Sequence, residues 1–421
     1  MNPKFNAPLT HLLDRLDQYH EEAIELQRQL TRIPALSPEN GGEGEKTKAD
    51  FLHNWLTHAL RPDAMQWLNA PDARVPCGYR PNFVARCKGA SARRTIWIMA
   101  HLDVVPPGDL SKWTGDPWTL RVETDAKGRR KLIGRGAEDN QQGLVSAVFA
   151  VKALRDLSLL PAYDVALLFV ADEETGSVYG AQYLLQQHRR LFEAHDLMII
   201  PDAGDDKGAM IEVAEKSILW LRFQTVGKQC HGSEPEKGRN AHKAASYLAY
   251  RLDSLYRRFR KRNAMFAPPF STFEPTKREA NVPNINTIPG EDVMYFDCRL
   301  LPEYKVSEVM TTVRAMVKEV EKKFRVKISV SSQQGEQAAP PTSSEAPVVK
   351  AIAAAVRDLR RLRPKPMGIG GGTVAGFFRR AGIPAAVWST MDDTAHSPDE
   401  YCLLENLLDD AKVFAHIFMQ P

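Results

Sequence analysis

The stretch TIWIMAHLDVVPPG, Thr95–Gly108, decides how the chain is read. Its first six residues are β-branched, aromatic or otherwise apolar, the pattern of a buried strand. The strand then ends in His101 and Asp103, two polar side chains separated by one apolar residue. Residues i and i+2 of a strand project from the same face, so the two groups sit side by side. That pairing suits a metal-ligating imidazole with a carboxylate behind it. His-x-Asp is a weak motif alone, and the rest of the chain must supply further ligands.

Outward from this strand, apolar strands alternate with helices. NQQGLVSAVFAVKALRDL reads as a helix, DVALLFVA as a strand, AQYLLQQHRRLF as a helix and DLMIIP as a strand. Strand–helix repetition with all-apolar strands predicts an α/β domain with a mostly parallel sheet flanked by helices. The order then changes. SILWLRFQTVG reads as an amphipathic strand, AHKAASYLAYRLDSLYRRF as a helix and NINTIPGEDVMYFDCRLLP as a hairpin. VSEVMTTVRAMVKEVEKKF is another helix and VKISVSS a last strand. This β-α-β-β-α-β order is that of an α+β split-βαβ sandwich. Gln333–Pro347 is a polar, Pro-rich connector. The expected organisation is a catalytic domain of residues 1–214 and 333–421 interrupted by an inserted domain of residues 215–332.

With 421 residues, 43% hydrophobic and 26% charged, the chain has the composition of a soluble globular protein. A net charge of +4 gives no cause to expect nucleic acid. The densest basic run, Arg257–Arg262, reads as a solvated helix face, with a partner or anion patch as the alternative. The 5 cysteines are odd in number and free of any C-x-x-C pair. That argues against a disulfide framework or a thiolate zinc site and suits a reducing compartment. The amphipathic N-terminal segment has no hydrophobic signal core, and no apolar run approaches the roughly 18 residues of a membrane span. A cytoplasmic protein with no membrane partner is the expectation.

Three strands end in acids or His: TIWIMA at His101 and Asp103, DVALLFVA at Asp172, Glu173 and Glu174, DLMIIP at Asp202. Ligands of open α/β sheets bind beyond the carboxyl ends of the strands, so these side chains can converge. Asp139, at the start of a helix in GRGAEDNQQG, and His396, in DDTAHSPDE, are further candidates. Taken singly each has a plainer reading. Glu173 and Glu174 could be surface charge, Asp139 a helix cap and His396 a loop residue. Together His101, Asp139, Glu174, Asp202 and His396 are the donor set expected for two divalent metals of borderline preference, such as zinc. Glu173 is then left beside the site as a proton acceptor.

The series AHLDVVPPG, GRGAEDNQQG, ADEETGS, IPDAG, VGKQCHGSEPEKGRNA and DDTAHSPDEY resembles the dizinc aminoacylase and carboxypeptidase family. That family includes succinyl-diaminopimelate desuccinylase, acetylornithine deacetylase, aminoacylase and dipeptidases, and the resemblance spans nearly the whole chain. It implies a zinc-peptidase-like catalytic domain with an inserted lid and dimerisation domain. It further implies that His101, Asp139 and Asp202 hold one Zn2+ and that Asp139, Glu174 and His396 hold the other, with Co2+ or Mn2+ as alternatives. Asp139 would bridge, and its bond to Asn140 would be cis. Asp103 would orient His101. Glu173 would take a proton from a metal-bridging water and pass it to the leaving amine.

His231, in KQCHGSEP, is by itself an ordinary core or surface histidine. The resemblance implies instead that it stabilises the tetrahedral oxyanion, reaching the partner subunit's site in a homodimer. GIGGGT, Gly368–Thr373, looks like a nucleotide loop but lacks its Lys-Ser/Thr. In similar enzymes such a loop holds the substrate carboxylate. Gly371, Gly372 and Thr373, with Asn286 and Arg299, match those positions. Val374, Ala375 and Gly376 depart from the desuccinylase pattern, as do Glu215, Lys216, Ser217 and Ile218. Asp202 is Glu in desuccinylases and aminoacylases and more usually Asp in the peptidase branch. The expected activity is therefore a zinc-dependent metallohydrolase, a deacylase acting on a small N-acyl amino acid or a dipeptidase or carboxypeptidase. A non-catalytic, metal-stabilised binding protein is the competing class.

Overall fold

In the computed structural model, which describes residues 7–420, the strand begun by TIWIMA extends over Ser91–His101. Ile96, Trp97, Ile98, Met99 and Ala100 are all buried. Asp196 anchors its start, accepting from the Thr95 amide at 2.7 Å and from Trp97 Nε1 at 2.9 Å. The strand lies fourth in an eight-stranded sheet ordered Ala64–Trp67, Phe83–Cys87, Tyr163–Val170, Ser91–His101, Leu197–Asp205, Ala385–Thr390, Met210–Glu215, Lys365–Ile369. Neighbours among the four central strands, Tyr163–Val170 through Ala385–Thr390, pair parallel. The first two strands pair antiparallel, as do Met210–Glu215 and Ala385–Thr390, so the sheet is mixed with a parallel centre. The helix Gln141–Asp156 is buried along most of its length, because the sheet and the C-terminal helix Leu404–Phe418 both pack on it.

Contacts divide the chain into two compact units. The first holds the residues up to Val213, Thr342–Pro366 and those from Phe377; the second holds Ala214–Pro341 and Met367–Gly376. Residues 214, 333–341 and 367–376, expected with the first, thus belong to the second. The last strand of the second unit runs over Lys327–Glu336 and takes in polar residues assigned to the connector. The glycine loop is tied to the same unit by hydrogen bonds from Lys216 N to Ile369 O and from Arg299 Nη1 to Gly370 O, both 3.0 Å.

The larger antiparallel sheet of the second unit is four-stranded, ordered Thr272–Arg278, Glu291–Leu300, Ser217–Val226, Lys327–Glu336. Helices Ala241–Leu252 and Val306–Phe324 complete the β-α-β-β-α-β order. Val309, Val313, Val317 and Val320 recur at helical spacing and share one buried cluster with Leu219, Phe223 and Phe296 of the sheet. Each such burial contributes roughly 1.5–3 kcal/mol. The expected hairpin in NINTIPGEDVMYFDCRLLP is corrected here: Thr287–Ile288 pairs with Cys230–His231, and Glu291–Leu300 pairs with Thr272–Arg278. The expected single helix from Ala241 ends at Leu252, and a short helix Leu255–Arg258 follows. Arg257, Arg258, Arg260, Lys261 and Arg262 are exposed. Among the described residues no helix is long and apolar enough to cross a membrane.

Candidate active site

His101 ends its strand with the ring almost fully buried. Its Nδ1 is 3.0 Å from the main-chain carbonyl of Asp103 and 3.5 Å from the Asp103 carboxylate. The side-by-side arrangement expected from the sequence is therefore modified: the carbonyl is the closer support of the ring. The Asp103 carboxylate instead accepts from the amides of Glu173 at 3.1 Å and Glu174 at 3.0 Å. It ties the end of one parallel strand to the turn that follows the next.

That turn is a 3-10 segment, Glu173–Thr175, entered through Asp172 at φ 67. Asp tolerates this left-handed region because its side chain bonds locally, here to the Thr175 hydroxyl and to the Tyr179 amide at 2.9 Å. The Asp139 loop depends on Gly136, at φ 82, where a Cβ would lie 2.7 Å from Val104 Cγ1. The Asp139–Asn140 peptide is cis. Asn140 Nδ2 donates to Pro201 O at 2.6 Å and to Asp202 Oδ1 at 2.9 Å, joining this loop to the end of Leu197–Asp205. A small sheet of Arg121–Thr124, Arg130–Ile133 and Tyr401–Leu403 brings the segments flanking Asp139 and His396 together.

The outcome is a cluster with Asp139 at its centre. Asp139 Oδ1 is 2.9 Å from His101 Nε2, and Oδ2 is 3.0 Å from His396 Nε2. His101 Nε2 lies 3.4 Å from Asp202 Oδ1, and His396 Nε2 lies 3.2 Å from Glu174 Oε2. Potential donor atoms of His101, Asp139 and Glu174 lie within 4.8 Å of one another, as do those of His101, Glu173 and Asp202. Geometry alone thus offers Glu173 as a ligand as well as a proton acceptor. Glu174 Oε1 is buried with no hydrogen-bond partner, and among the described residues no lysine or arginine pairs with these carboxylates. Buried negative charge left this way is costly. A cation among these oxygen and imidazole donors removes the cost, so the residues fit a divalent metal.

The electrostatics follow from the crowding. Burial and then the Asp202 charge push the Glu173 carboxyl well above the usual range. Burial also raises Glu174 and Asp202. Burial opposes ionisation of Asp139 too, yet hydrogen bonds from both imidazoles hold it well below the usual carboxylate range. Hydrogen bonds to Asp139 and Glu174 push His396 up to about 10.

Two buried carboxylates escaped the reading of the sequence. Glu138 accepts from the amides of Asp392, Thr394 and Ala395, and Glu400 from those of Gly136, Glu138 and Asp139. Their one signal is position: Glu138 directly precedes Asp139 in a buried turn, and Glu400 lies four residues after His396.

The remaining candidates belong to the second unit. His231 is exposed, with Nδ1 2.7 Å from Ser233 Oγ, and it pairs in register with Thr287. Asn286 is brought beside it, its carbonyl accepting from Gly232 N at 2.6 Å. Arg299 is held bidentately by Asp297, at 2.6 and 2.9 Å, next to Gly370. A Cβ on Gly371 would meet nothing within 4 Å, and one on Gly372 only Ile218. Thr373 is different: its amide and hydroxyl both go to Glu215 Oε1, at 3.0 and 2.6 Å, so neither is an open donor.

Residues 97–420 match the model of peptidase family M20/M25/M40. The chain belongs to this M20 family. A protein of Methanocaldococcus jannaschii described as an uncharacterized metallohydrolase is 38% identical over 410 residues, 94% of this chain and 98% of that one. A succinyl-diaminopimelate desuccinylase of Delftia acidovorans is 26% identical over 392 residues, 91% of this chain and 94% of its own. In fold, human carnosine dipeptidase 1 superposes with a TM-score of 0.71 at 18% identity, covering 98% of both chains. As an M20 member the chain is a metal-dependent hydrolase.

Proposed function

We propose that this M20 hydrolase cleaves the amide bond of a small N-acyl amino acid or of a dipeptide, using two divalent metals, zinc in the native enzyme. The observation that carries the reading is Asp139, whose two oxygens face two different imidazoles at 2.9 and 3.0 Å. His101, Asp139 and Asp202 would hold one ion, and Asp139, Glu174 and His396 the other. Such ions supply Lewis acidity toward the scissile carbonyl and acidify the attacking water. Co2+ or Mn2+ are candidate substitutes.

Glu173 then accepts the proton of the attacking water and delivers it to the leaving nitrogen. Its burial and the neighbouring Asp202 raise its pKa well above the usual carboxylate range, the direction that favours a group that both takes and returns a proton. Asp103 fixes the main chain on which Glu173 and Glu174 stand. His231 donates to the developing oxyanion, serving the partner subunit's site in a homodimer. Arg299, Asn286 and the open edge of Gly371 and Gly372 bind the substrate carboxylate, while Thr373 keeps the loop in place through Glu215. All five cysteines are free, which suits work in the reducing cytoplasm.

Asp202 in place of Glu favours the dipeptidase or carboxypeptidase side, whereas the desuccinylase relative favours the deacylase side. The test is ninhydrin-detected hydrolysis by zinc- or cobalt-loaded enzyme of N-succinyl-diaminopimelate, N-acetylornithine, other N-acyl amino acids and unblocked dipeptides. Cleavage of acylated substrates alone makes it a deacylase; cleavage of dipeptides alone makes it a peptidase. Silence across the panel with two metals bound overturns the reading.

A further inference from the structure

The loop carrying Asp139 and the loop carrying His396 hold each other by exchanged carboxylates. Glu138, one residue before Asp139, reaches into the His396 loop. It accepts from Asp392 N at 2.6 Å, Thr394 N at 2.5 Å, Thr394 Oγ1 at 2.9 Å and Ala395 N at 2.9 Å. Glu400, four residues after His396, reaches back into the Asp139 loop. It accepts from Gly136 N at 3.1 Å, from Glu138 N and Asp139 N at 3.0 Å each, and from Arg135 Nη1. Both glutamates are 1% exposed.

Each loop is irregular backbone, with His396 at φ 62 and Gly136 at φ 82. Neither has a ladder of its own at the ligand residue. A carboxylate that accepts consecutive amides does for such a loop what the preceding turn does for a helix: it satisfies the N–H groups and fixes their direction. Metal ligands must be held to within a few tenths of an ångström, and the groups that orient them set affinity. We propose that Glu138 and Glu400 are paired positioning residues. Glu138 sets where His396 stands relative to Asp139, and Glu400 sets where Asp139 itself stands. The proposal rests on the two-metal reading above.

The two halves make different predictions. Glu138→Gln keeps the shape but turns an NH2 group toward one set of the donors it now accepts from. It loosens the His396 loop alone, so the ion assigned to Asp139, Glu174 and His396 should bind about 10- to 100-fold more weakly while the other is unchanged. Glu400→Gln loosens the shared ligand, so both steps should weaken. Metal-free wild type and both variants would be titrated calorimetrically with Zn2+, and with Co2+ while its visible spectrum is recorded. An altered Co2+ spectrum confined to one equivalent in Glu138→Gln separates positioning from general loss of stability. Two unchanged steps in Glu138→Gln, or two equally weakened ones, overturn the proposal. If Glu138→Gln does not fold, Thr394→Val removes the hydroxyl donor to Glu138, together with that hydroxyl's contacts to Tyr401 in the same loop; a smaller weakening of the same step is then expected, and an unchanged step overturns the proposal. His396→Ala in the same titration tests the underlying reading. If wild type takes up fewer than two ions, or His396→Ala still takes up two, it is the two-metal reading that fails.

Discussion

Loading the metal-free protein with metal should release protons, in a number set by the geometry of the site. His101 is buried, which alone would favour its neutral form. Its contacts with Asp103, Asp139 and Asp202 outweigh that and put its pKa well above the ordinary histidine value. His396 is pushed up to about 10 by Asp139 and Glu174. The prediction is that both imidazoles carry a proton at pH 7 in the metal-free chain. An imidazole ligates only through an unprotonated nitrogen, so filling both positions expels both protons. Any proton held by Glu174 or Asp202, whose carboxyls burial has raised, adds to the count, so two is the minimum.

The sign follows from linkage. The metal-free state binds more protons than the loaded state, so affinity rises with pH and stops gaining from His396 once pH exceeds about 10. For two protons the product of the two binding constants rises roughly a hundredfold per pH unit near neutrality. The assay is calorimetric titration of metal-free protein with Zn2+ at pH 7 in three buffers of different ionisation enthalpy. The slope of observed heat against buffer enthalpy counts the protons. A slope near two or above is expected, falling by one in His396→Ala. A slope below one would refute the reasoning, because the imidazoles would then be neutral before metal arrives.

Glu173→Gln should retain both ions and lose about 100- to 10,000-fold in kcat, read by turnover and metal analysis on one sample; retained turnover would sink the role given to Glu173. Asp103→Asn puts an NH2 group in place of one of the two oxygens that accept from the Glu173 and Glu174 amides, so metal affinity should fall about 10- to 100-fold and kcat with it. Unchanged calorimetry and kinetics in that variant would show that the turn holds itself. His231→Ala should cost about 100- to 1,000-fold in kcat with metal content intact; loss of metal instead would contradict an oxyanion role.

What the sequence discloses depends on where each residue's partners lie. TIWIMA, DVALLFVA and DLMIIP read plainly as strands because burial makes them continuously apolar. Their polar ends then point to the site. The edge strands are another matter. Ala64–Trp67 is short and mostly exposed, and Thr272–Arg278 contains a proline and five exposed residues in a row. Neither shows a period, so Thr272–Arg278, one of the two strands that flank Glu291–Leu300, is invisible in the sequence and a nearer segment looks like the hairpin partner. The same limit separates the proposed ligands from the carboxylates proposed to support them. His101, Asp139, Glu174 and Asp202 announce themselves at strand ends and helix starts. Glu138 and Glu400 act on backbone amides more than 250 residues away in the chain, and an amide N–H looks the same beneath every side chain. A donor set can be collected from sequence one strand end at a time; the carboxylates that hold its loops become visible only when the loops have met.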